Sequence, residues 1–364
     1  MTMANHQPFD DLLTSNVPVP AWWTSRLQQI EDFLDAEVDP QQLHVLATSP
    51  GGRPVRYATY GRSEPHLRGT ANFNSAVGGC DTNAYFRRSE RRRPVLMILA
   101  GVHGAEVEGM VSALSAISIL ETGTDLIGRE QPDLAGKLRR LRVIIIPVAN
   151  PDGRARVPYD GWVGLPIAEM HRVGQGTRRD GSSYGWPGCK LVHPMKGDVG
   201  GLGGYFDDAG VNLMHDEWSA PMSETTQALL QLVHDEAPDM VVNCHSHENV
   251  PAVLSLPYVP MAVKEDLARF AERLYANLER AGFYHKVVPQ PQLDGPAGQV
   301  PPSFNLNCML YHTGAALPMT FEGPHGLAGQ NGSFNYEQIL QIHHILFETA
   351  ADRLLETKAA TPHR

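Results

Sequence analysis

The chain has 364 residues, of which 42% are hydrophobic and 19% are charged. This composition is typical of a folded globular protein with a sizeable core, and disorder is not the default expectation for it. The formal net charge of −10 argues against a nucleic-acid partner, because a protein that contacts many phosphates needs a basic surface.

The N-terminal residues and the cysteines bear on the cellular compartment. No basic segment followed by an apolar one precedes residue 20, and no run of 18 apolar residues occurs, so we expect neither a secretory signal nor a membrane partner. The four cysteines are far apart in sequence, which disfavours a disulfide framework and a cysteine zinc site. We therefore expect a cytoplasmic protein, and its oligomeric state is left open.

Hydrophobic periodicity predicts strands that alternate with helices. An amphipathic helix is predicted at residues 21–36 and a hairpin of strands at 43–48 and 55–60, followed by an irregular insertion at 63–93. Further strands are predicted at 94–100, 143–148, 240–244 and 316–321, and helices at 107–120, 134–141, 223–235, 262–281 and 335–356. This alternation predicts an α/β fold with a parallel or mixed sheet that is covered on both faces.

Two larger divisions of the chain follow from these elements. We expect residues 1–40 to form a helical extension and residues 41–358 to form one catalytic domain. Residues 154–204 are rich in Gly, Arg, Trp and Tyr and have no long periodic segment. Long loops in compact domains are often functional, so we interpret this one as a wall of the substrate cleft.

Polar side chains stand at the ends of three predicted strands. His103 and Glu106 follow one strand, His245 and His247 follow another, and Glu322 follows the last. Because the carboxyl ends of parallel strands meet at one edge of a sheet, these residues are expected to share a site. Each of them taken alone is compatible with an ordinary surface turn. Together, two His and one Glu are the ligands of a catalytic zinc, and a further Glu is the base that metal-assisted hydrolysis requires.

The same residues lie in a series of motifs that resembles the zinc carboxypeptidase family of carboxypeptidase A-like metallohydrolases over residues 40–355. In chain order the motifs are Ser49-Pro50-Gly51-Gly52-Arg53-Pro54, His103-Gly104-Ala105-Glu106, Asn150-Pro151-Asp152-Gly153, Gly210-Val211-Asn212-Leu213, His245-Ser246 and Thr320-Phe321-Glu322. The resemblance implies Zn²⁺ bound by His103, Glu106 and His245, with Glu322 as the general base. It also implies a three-layer α/β/α sandwich around a mixed sheet of about eight strands.

The sequence departs from the family where carboxypeptidases recognise substrate. In the family, Asn-Arg follows the Gly-Val-Asn-Leu stretch and holds the C-terminal carboxylate, but Met214 and His215 stand there in this chain. The mobile tyrosine of the family has no counterpart either, and we expect Tyr311 to pack in the core. The candidate substrate-binding residues are His215, Arg154 and Arg156, and Arg172 and Lys190 are further candidates for stabilising negative charge.

These observations predict a zinc-dependent hydrolase that cleaves an amide bond in an atypical peptide or an N-acyl compound. The His-Gly-x-Glu motif is also similar to that of aspartoacylases and succinylglutamate desuccinylases. A small-molecule deacylase is therefore the first alternative, and a small closed pocket would favour it over a peptidase. A true metallocarboxypeptidase and an inactive metal-binding protein are the others. Glu322 argues against the inactive protein, which needs no base.

Overall fold

Our computed structural model describes residues 18–64, 78, 91–190, 193–295, 302–329 and 334–360. Most of the insertion predicted at residues 63–93 and the first 17 residues of the predicted extension lie outside this part of the chain. Among the helices described, none is both long enough and apolar enough to cross a membrane.

A mixed sheet of seven strands runs through the described residues. The strands are β1 (Leu43–Thr48), β2 (Pro54–Tyr60), β3 (Val95–Ala100), β4 (Arg142–Ile146), β5 (Met240–His247), β6 (Ala252–Val253) and β7 (Leu317–Pro324). Their order is β1-β2-β4-β3-β5-β7-β6. The four central strands β4, β3, β5 and β7 are parallel, whereas β1, β2 and β6 pair antiparallel with their neighbours. The predicted fold class is confirmed, with seven described strands where about eight were expected.

Helices cover both faces of the sheet. They are α1 (Leu27–Glu37), α2 (Val107–Thr122), α3 (Pro132–Leu138), α4 (Pro151–Arg156), α5 (Ile167–Gln175), α6 (Glu224–Glu236), α7 (Met261–Arg280), α8 (Leu306–Gly314) and α9 (Tyr336–Ala360). Helices α1, α2, α3, α7 and α9 pack on one face, and α6 and α8 pack on the other. Tyr311 of α8 is 2% exposed, so its predicted place in the core is confirmed.

This layered arrangement accounts for the apolar composition of the central strands. Leu96 and Ile98 of β3 enter the core on one face of the sheet, while Met97 and Leu99 enter the core on the other. Successive side chains of a strand point to opposite faces, so a central strand with both faces covered is apolar at every position. The result is a three-layer sandwich whose polar strand ends lie at one edge.

Several local elements differ from the prediction. The Asn150-Pro151 step begins helix α4, which was not predicted: the Asn150 side chain accepts a hydrogen bond from Gly153 N at 2.8 Å, as an N-cap does, and Pro151 suits a first helical turn. The predicted loop at 154–204 contains helix α5, and α8 was not predicted. Strands β5 and β7 also continue beyond their predicted ends, because their pairing extends to His247 and Pro324.

Candidate active site

A tight turn places the first two polar residues over the sheet edge. Gly101 follows β3 with a φ of 63°, a conformation that favours glycine. A Cβ atom on Gly104 would lie 2.1 Å from the backbone N of Arg154, so the turn and helix α4 touch at a point where only glycine fits. Glu106 then becomes the N-cap residue of α2. This path brings His103 and Glu106 to the carboxyl end of the parallel strands.

His103, Glu106 and His245 form a buried group whose candidate ligand atoms all lie within 4.8 Å of one another. The two Glu106 oxygens contact one imidazole each, at 2.8 Å from His103 Nδ1 and 2.9 Å from His245 Nδ1. The two Nδ1 atoms are 3.3 Å apart. Two imidazole nitrogens and a carboxylate converging on one point are a donor set that suits zinc.

Two neighbours set the orientation of His103. Its Nε2 atom lies 3.3 Å from Asn212 Oδ1, an acceptor that would take the Nε2 proton when the Nδ1 lone pair binds a metal. The ring of Tyr205 stacks on the imidazole, with 3.9 Å between ring centroids and 12° between planes. The sequence motif contained Asn212 without revealing this contact, and no sequence signal pointed to Tyr205. Metal-binding histidines commonly have a hydrogen-bond partner on the nitrogen that does not bind the metal. The Asn in the Gly210-Val211-Asn212-Leu213 motif was therefore a signal that could have identified the partner of His103.

The charges of the group are those of a cation site. Burial alone would raise the pKa of Glu106, but His103 and His245 lower it well below its usual range. Burial likewise opposes the charge on His245, and Glu106 outweighs it and raises the pKa of that imidazole. His245 Nε2 is buried without a hydrogen-bond partner among the described residues. A carboxylate between two imidazoles that both present Nδ1 therefore fits a divalent metal ion.

Glu322 lies on the strand next to His245. The two residues are register partners in the parallel pair β5 and β7, so their side chains emerge on the same face. Burial raises the pKa of Glu322, the Glu106 carboxylate raises it further, and His245 opposes the rise. The structure thus brings a carboxyl group with elevated proton affinity to the side of the three convergent residues.

The two predicted substrate-binding arginines are engaged within the fold. Arg154 is buried and donates hydrogen bonds to three backbone carbonyls, those of Ser25, Val157 and Tyr159. Arg156 donates to the carbonyl of Phe206 at 2.6 Å and pairs with Asp208 at 3.3 Å. These contacts favour structural roles for both side chains.

His215 lies three residues after Asn212, whose side chain contacts His103. Burial lowers its pKa to about 3, and the positive charges of Lys190, His103, His193 and His245 lower it in the same direction. Its imidazole is therefore neutral at ordinary pH. His215 is the last residue of a short 3₁₀ turn, Leu213–His215. Asn212 caps this turn, because its side chain accepts a hydrogen bond from Met214 N.

Comparisons with known proteins give a family and a fold for this chain. The family model for zinc carboxypeptidases matches residues 29–259. The crystal structure of a metallo-carboxypeptidase from Burkholderia cenocepacia superposes with a TM-score of 0.56 at 17% identity, covering 91% of this chain and 69% of that one. A metallo-carboxypeptidase from Pseudomonas aeruginosa, in complex with (2-guanidinoethylmercapto)succinic acid, has a TM-score of 0.52 at 14% identity, covering 90% and 69%. A comparison with curated protein sequences yields no significant match.

The structural likeness, at such low identity, shows a shared fold. The family match is stronger evidence, because it covers more than half of the chain and includes His103, Glu106 and His245, although it ends before Glu322. Zn²⁺ is the cofactor of this family, and the donor set described above fits it. The chain therefore belongs to the zinc carboxypeptidase family and is a zinc-dependent hydrolase.

Proposed function

We propose that the protein hydrolyses an amide bond in an atypical peptide or an N-acyl compound, with zinc held by His103, Glu106 and His245. The observation that carries this proposal is the buried convergence of those three side chains beside Glu322. When bound, zinc supplies Lewis acidity and lowers the pKa of water. A binding protein would have no use for the additional carboxyl group.

Glu322 acts as the general base in this proposal. It accepts a proton as the water oxygen attacks the amide carbon, and it returns that proton to the leaving nitrogen as the carbon–nitrogen bond breaks. Burial, which raises the pKa of Glu322, makes its carboxylate a stronger base toward the water proton. Asn212 and Tyr205 keep the His103 ring in place while the charges change.

The residues at the carboxylate-clamp position indicate an atypical substrate. Met214 is buried and His215 is neutral at the place where carboxypeptidases carry an Asn-Arg clamp. A guanidinium holds a carboxylate by two parallel hydrogen bonds, and a neutral imidazole cannot reproduce that geometry. We therefore infer that ordinary peptides with a free C-terminal carboxylate are poor substrates.

Metal analysis tests the zinc site. Protein purified without added metal should contain one zinc per chain, and His245→Ala should lose it. His247→Ala is the matched control, because His247 lies on the same strand but contacts the carbonyl of Val250 instead of the convergent group. Full zinc content in His245→Ala would reject the site.

Turnover is tested with zinc-loaded protein on a library of peptides and N-acyl amides. We expect hydrolysis of at least one amide class and weak hydrolysis of N-blocked dipeptides with a free carboxylate. A kcat/KM of about 10⁴ M⁻¹s⁻¹ or more on those dipeptides, common for enzymes on good substrates, would identify an ordinary metallocarboxypeptidase instead. Absence of any zinc-dependent hydrolysis would contradict the proposed activity.

A further inference from the structure

A buried pair of polar side chains joins two parts of the chain that carry candidate active-site residues. Glu108 lies in the first turn of α2, two residues after the candidate ligand Glu106. His325 directly follows β7, three residues after Glu322. His325 Nδ1 lies 3.0 Å from Glu108 Oε1, and the two side chains are 0% and 1% exposed, respectively. The pair therefore connects the ligand-bearing turn to the strand of the candidate base.

The backbone of His325 extends this connection to the neighbouring strand. Its N–H donates a hydrogen bond of 3.0 Å to the carbonyl of His247, the last residue of β5. Strand β5 also carries His245, the third candidate ligand. His325 is thus bonded through its backbone to the strand of one ligand, and through its side chain to the helix that follows the other two.

Trp162 forms a second connection between His325 and the ligand-bearing turn. Its Nε1 donates a hydrogen bond of 2.6 Å to the carbonyl of Ala105, the residue just before Glu106. Its ring meets the His325 imidazole edge to face, with 6.1 Å between ring centroids. Trp162 is fully buried, so water does not compete for either contact. Two side chains therefore hold the turn to His325.

Stability alone does not explain the Glu108–His325 pair. Taking such groups out of water is costly, and a well-packed apolar pair is often as stable as a buried ion pair. Glu108 Oε2 and His325 Nε2 are also buried without a hydrogen-bond partner among the described residues. A hydrogen bond nevertheless requires a defined distance and direction, which an apolar contact does not. What the pair adds is a fixed geometry between α2 and the end of β7.

We propose that His325 is a positioning residue for the zinc site and that it acts through Glu108 and Trp162. None of these three belongs to the convergent group of candidate ligands. Zinc requires its protein ligands within a narrow range of distances and directions, and these ligands come from two separate segments of the chain. The contacts of His325 fix the two segments relative to each other, so the ligands need little rearrangement to bind the metal. This inference rests on the proposed zinc site and names residues that preorganise it.

The test measures zinc affinity, by competition against a chelator of known affinity, and the melting temperature of the metal-free protein. His325→Leu alone would leave the Glu108 carboxylate buried and unpaired, which is strongly destabilising. The double variant Glu108→Met/His325→Leu replaces the whole pair by apolar side chains and should melt near the wild-type temperature. Its zinc affinity should be about 10- to 100-fold weaker, the usual effect of losing a residue that supports metal ligands.

Two single variants separate positioning from a general effect on packing. Glu108→Gln keeps an acceptor for His325 Nδ1 at the same place and should retain most of the zinc affinity. Trp162→Phe leaves the Glu108–His325 pair intact and keeps a ring against His325, but it removes the donor to the Ala105 carbonyl. We expect it to weaken zinc binding by about 10-fold, the lower end of the same range.

The matched control is the largely buried ion pair between Arg142 and Glu236, which are 2.7 Å apart. Arg142 begins β4, so this pair lies at the amino edge of the parallel strands, opposite the candidate site. Arg142→Met/Glu236→Met should leave zinc affinity unchanged even where it lowers the melting temperature.

Three outcomes would overturn the inference. The first is wild-type zinc affinity in Glu108→Met/His325→Leu or in Trp162→Phe. The second is an equal loss of affinity in the control double variant, which would indicate a general effect of stability. The third is a loss in Glu108→Gln as large as that in Glu108→Met/His325→Leu, since the charge of Glu108 and not its contact with His325 would then matter.

The positioning role and the zinc site fail separately in this design. A wild-type protein that binds no zinc would remove the proposed site, and the positioning role with it. A wild type that binds zinc tightly, with double and single variants that bind it equally well, would leave the site standing and remove only the role of His325. Neither measurement depends on finding a substrate.

Discussion

Glu106 shows how a single residue can specify a cation site. A buried carboxylate is unfavourable unless its charge is compensated. Its two oxygens contact one imidazole each, at 2.8 and 2.9 Å, and those imidazoles are themselves buried. A divalent ion would compensate this carboxylate and use all three side chains as ligands.

Replacing Glu322 by Gln tests the proposed base. The amide keeps the size of the side chain but cannot accept the proton, so activity should fall by about 10²- to 10⁴-fold. Zinc content should remain that of wild type, because Glu322 is not among the three convergent residues. Kinetics on whichever amide the wild type cleaves, together with metal analysis, provide the measurement. Activity near wild type would show that another group takes the proton.

Asn212 should affect zinc affinity through His103. Asn212→Ala removes the acceptor for Nε2, and loss of such a partner typically weakens metal binding by about 10- to 100-fold. Asn212→Asp keeps an acceptor at the same place and should retain tight binding. Competition against a chelator of known affinity measures both variants. Equal zinc affinity in wild type and Asn212→Ala would mean that the 3.3 Å contact does not orient the ring.

At the scale of elements, helix α4 supports the turn that carries the candidate ligands. Gly104 of that turn lies directly against the backbone of Gly153 and Arg154. The Arg154 side chain donates hydrogen bonds to the carbonyl of Ser25, which precedes β1 in the sequence, and to the carbonyl of Tyr159 in the loop that follows α4. These bonds connect α4 to both segments. Ile30 and Leu34 of α1 are buried in the main core as well. The division at residue 40 remains a prediction, and these contacts show that α1 packs on the sandwich.

Arg154→Met should therefore reduce stability rather than substrate binding. Each buried carbonyl left without a donor costs about 1–3 kcal/mol, so the free energy of unfolding should fall by at least that amount. Denaturant unfolding measures the loss, with the exposed Arg179→Met as a control that should change little. A variant of normal stability with a strongly raised KM would return Arg154 to the list of substrate-binding residues.

At the scale of the whole molecule, Asp152 joins three distant parts of the chain. Its carboxylate accepts from Ser49 Oγ at 2.6 Å, from Gly51 N at 2.9 Å and from Asp208 N at 3.1 Å, and it pairs with Arg53 at 2.8 Å. These contacts link the β1–β2 turn, helix α4 and the segment before Asn212. Two of the sequence motifs, the Ser-Pro-Gly-Gly-Arg stretch and the Asn-Pro-Asp-Gly stretch, are therefore two sides of one structural unit.

The stability supplied by Asp152 should depend on pH. Burial alone would raise its pKa, but the hydrogen bonds from Ser49, Asp208 and Arg53 lower it below the ordinary value. Stability from a carboxyl group with a depressed pKa is fully present above the unfolded value of about 3.9, and it is lost as the pH falls through the folded value. Asp152→Asn should thus cost about 1–3 kcal/mol at pH 7. The difference from wild type should shrink below about pH 4.

Unfolding of both proteins by denaturant at pH 7, 5 and 3 checks this dependence. The exposed Asp32→Asn on α1 should show almost no difference at any pH. A constant difference between wild type and Asp152→Asn across the range would mean that the charge of Asp152 contributes nothing and that only its shape matters.

The sequence by itself determined the layered fold and the candidate ligands. Buried strands are short apolar runs, and residues that follow such a run lie at the sheet edge, so the local pattern indicated His103, Glu106, His245, His247 and Glu322 as a group. The resemblance to the zinc carboxypeptidases then selected His103, Glu106 and His245 as candidate ligands and Glu322 as the candidate base. The ends of β5 and β7 were misplaced by a few residues, because pairing between strands, which the local pattern does not contain, carries them to His247 and Pro324.

Only the tertiary structure decided what the loop residues do. Arg154 and Lys190 are both basic residues of one irregular stretch, and no periodicity distinguishes them. The fold directs Arg154 onto backbone carbonyls and leaves Lys190 over Trp186 without an anionic partner among the described residues. The use of a long polar side chain depends on which acceptors the path of the chain brings within about 3 Å, and that depends on contacts between residues distant in sequence.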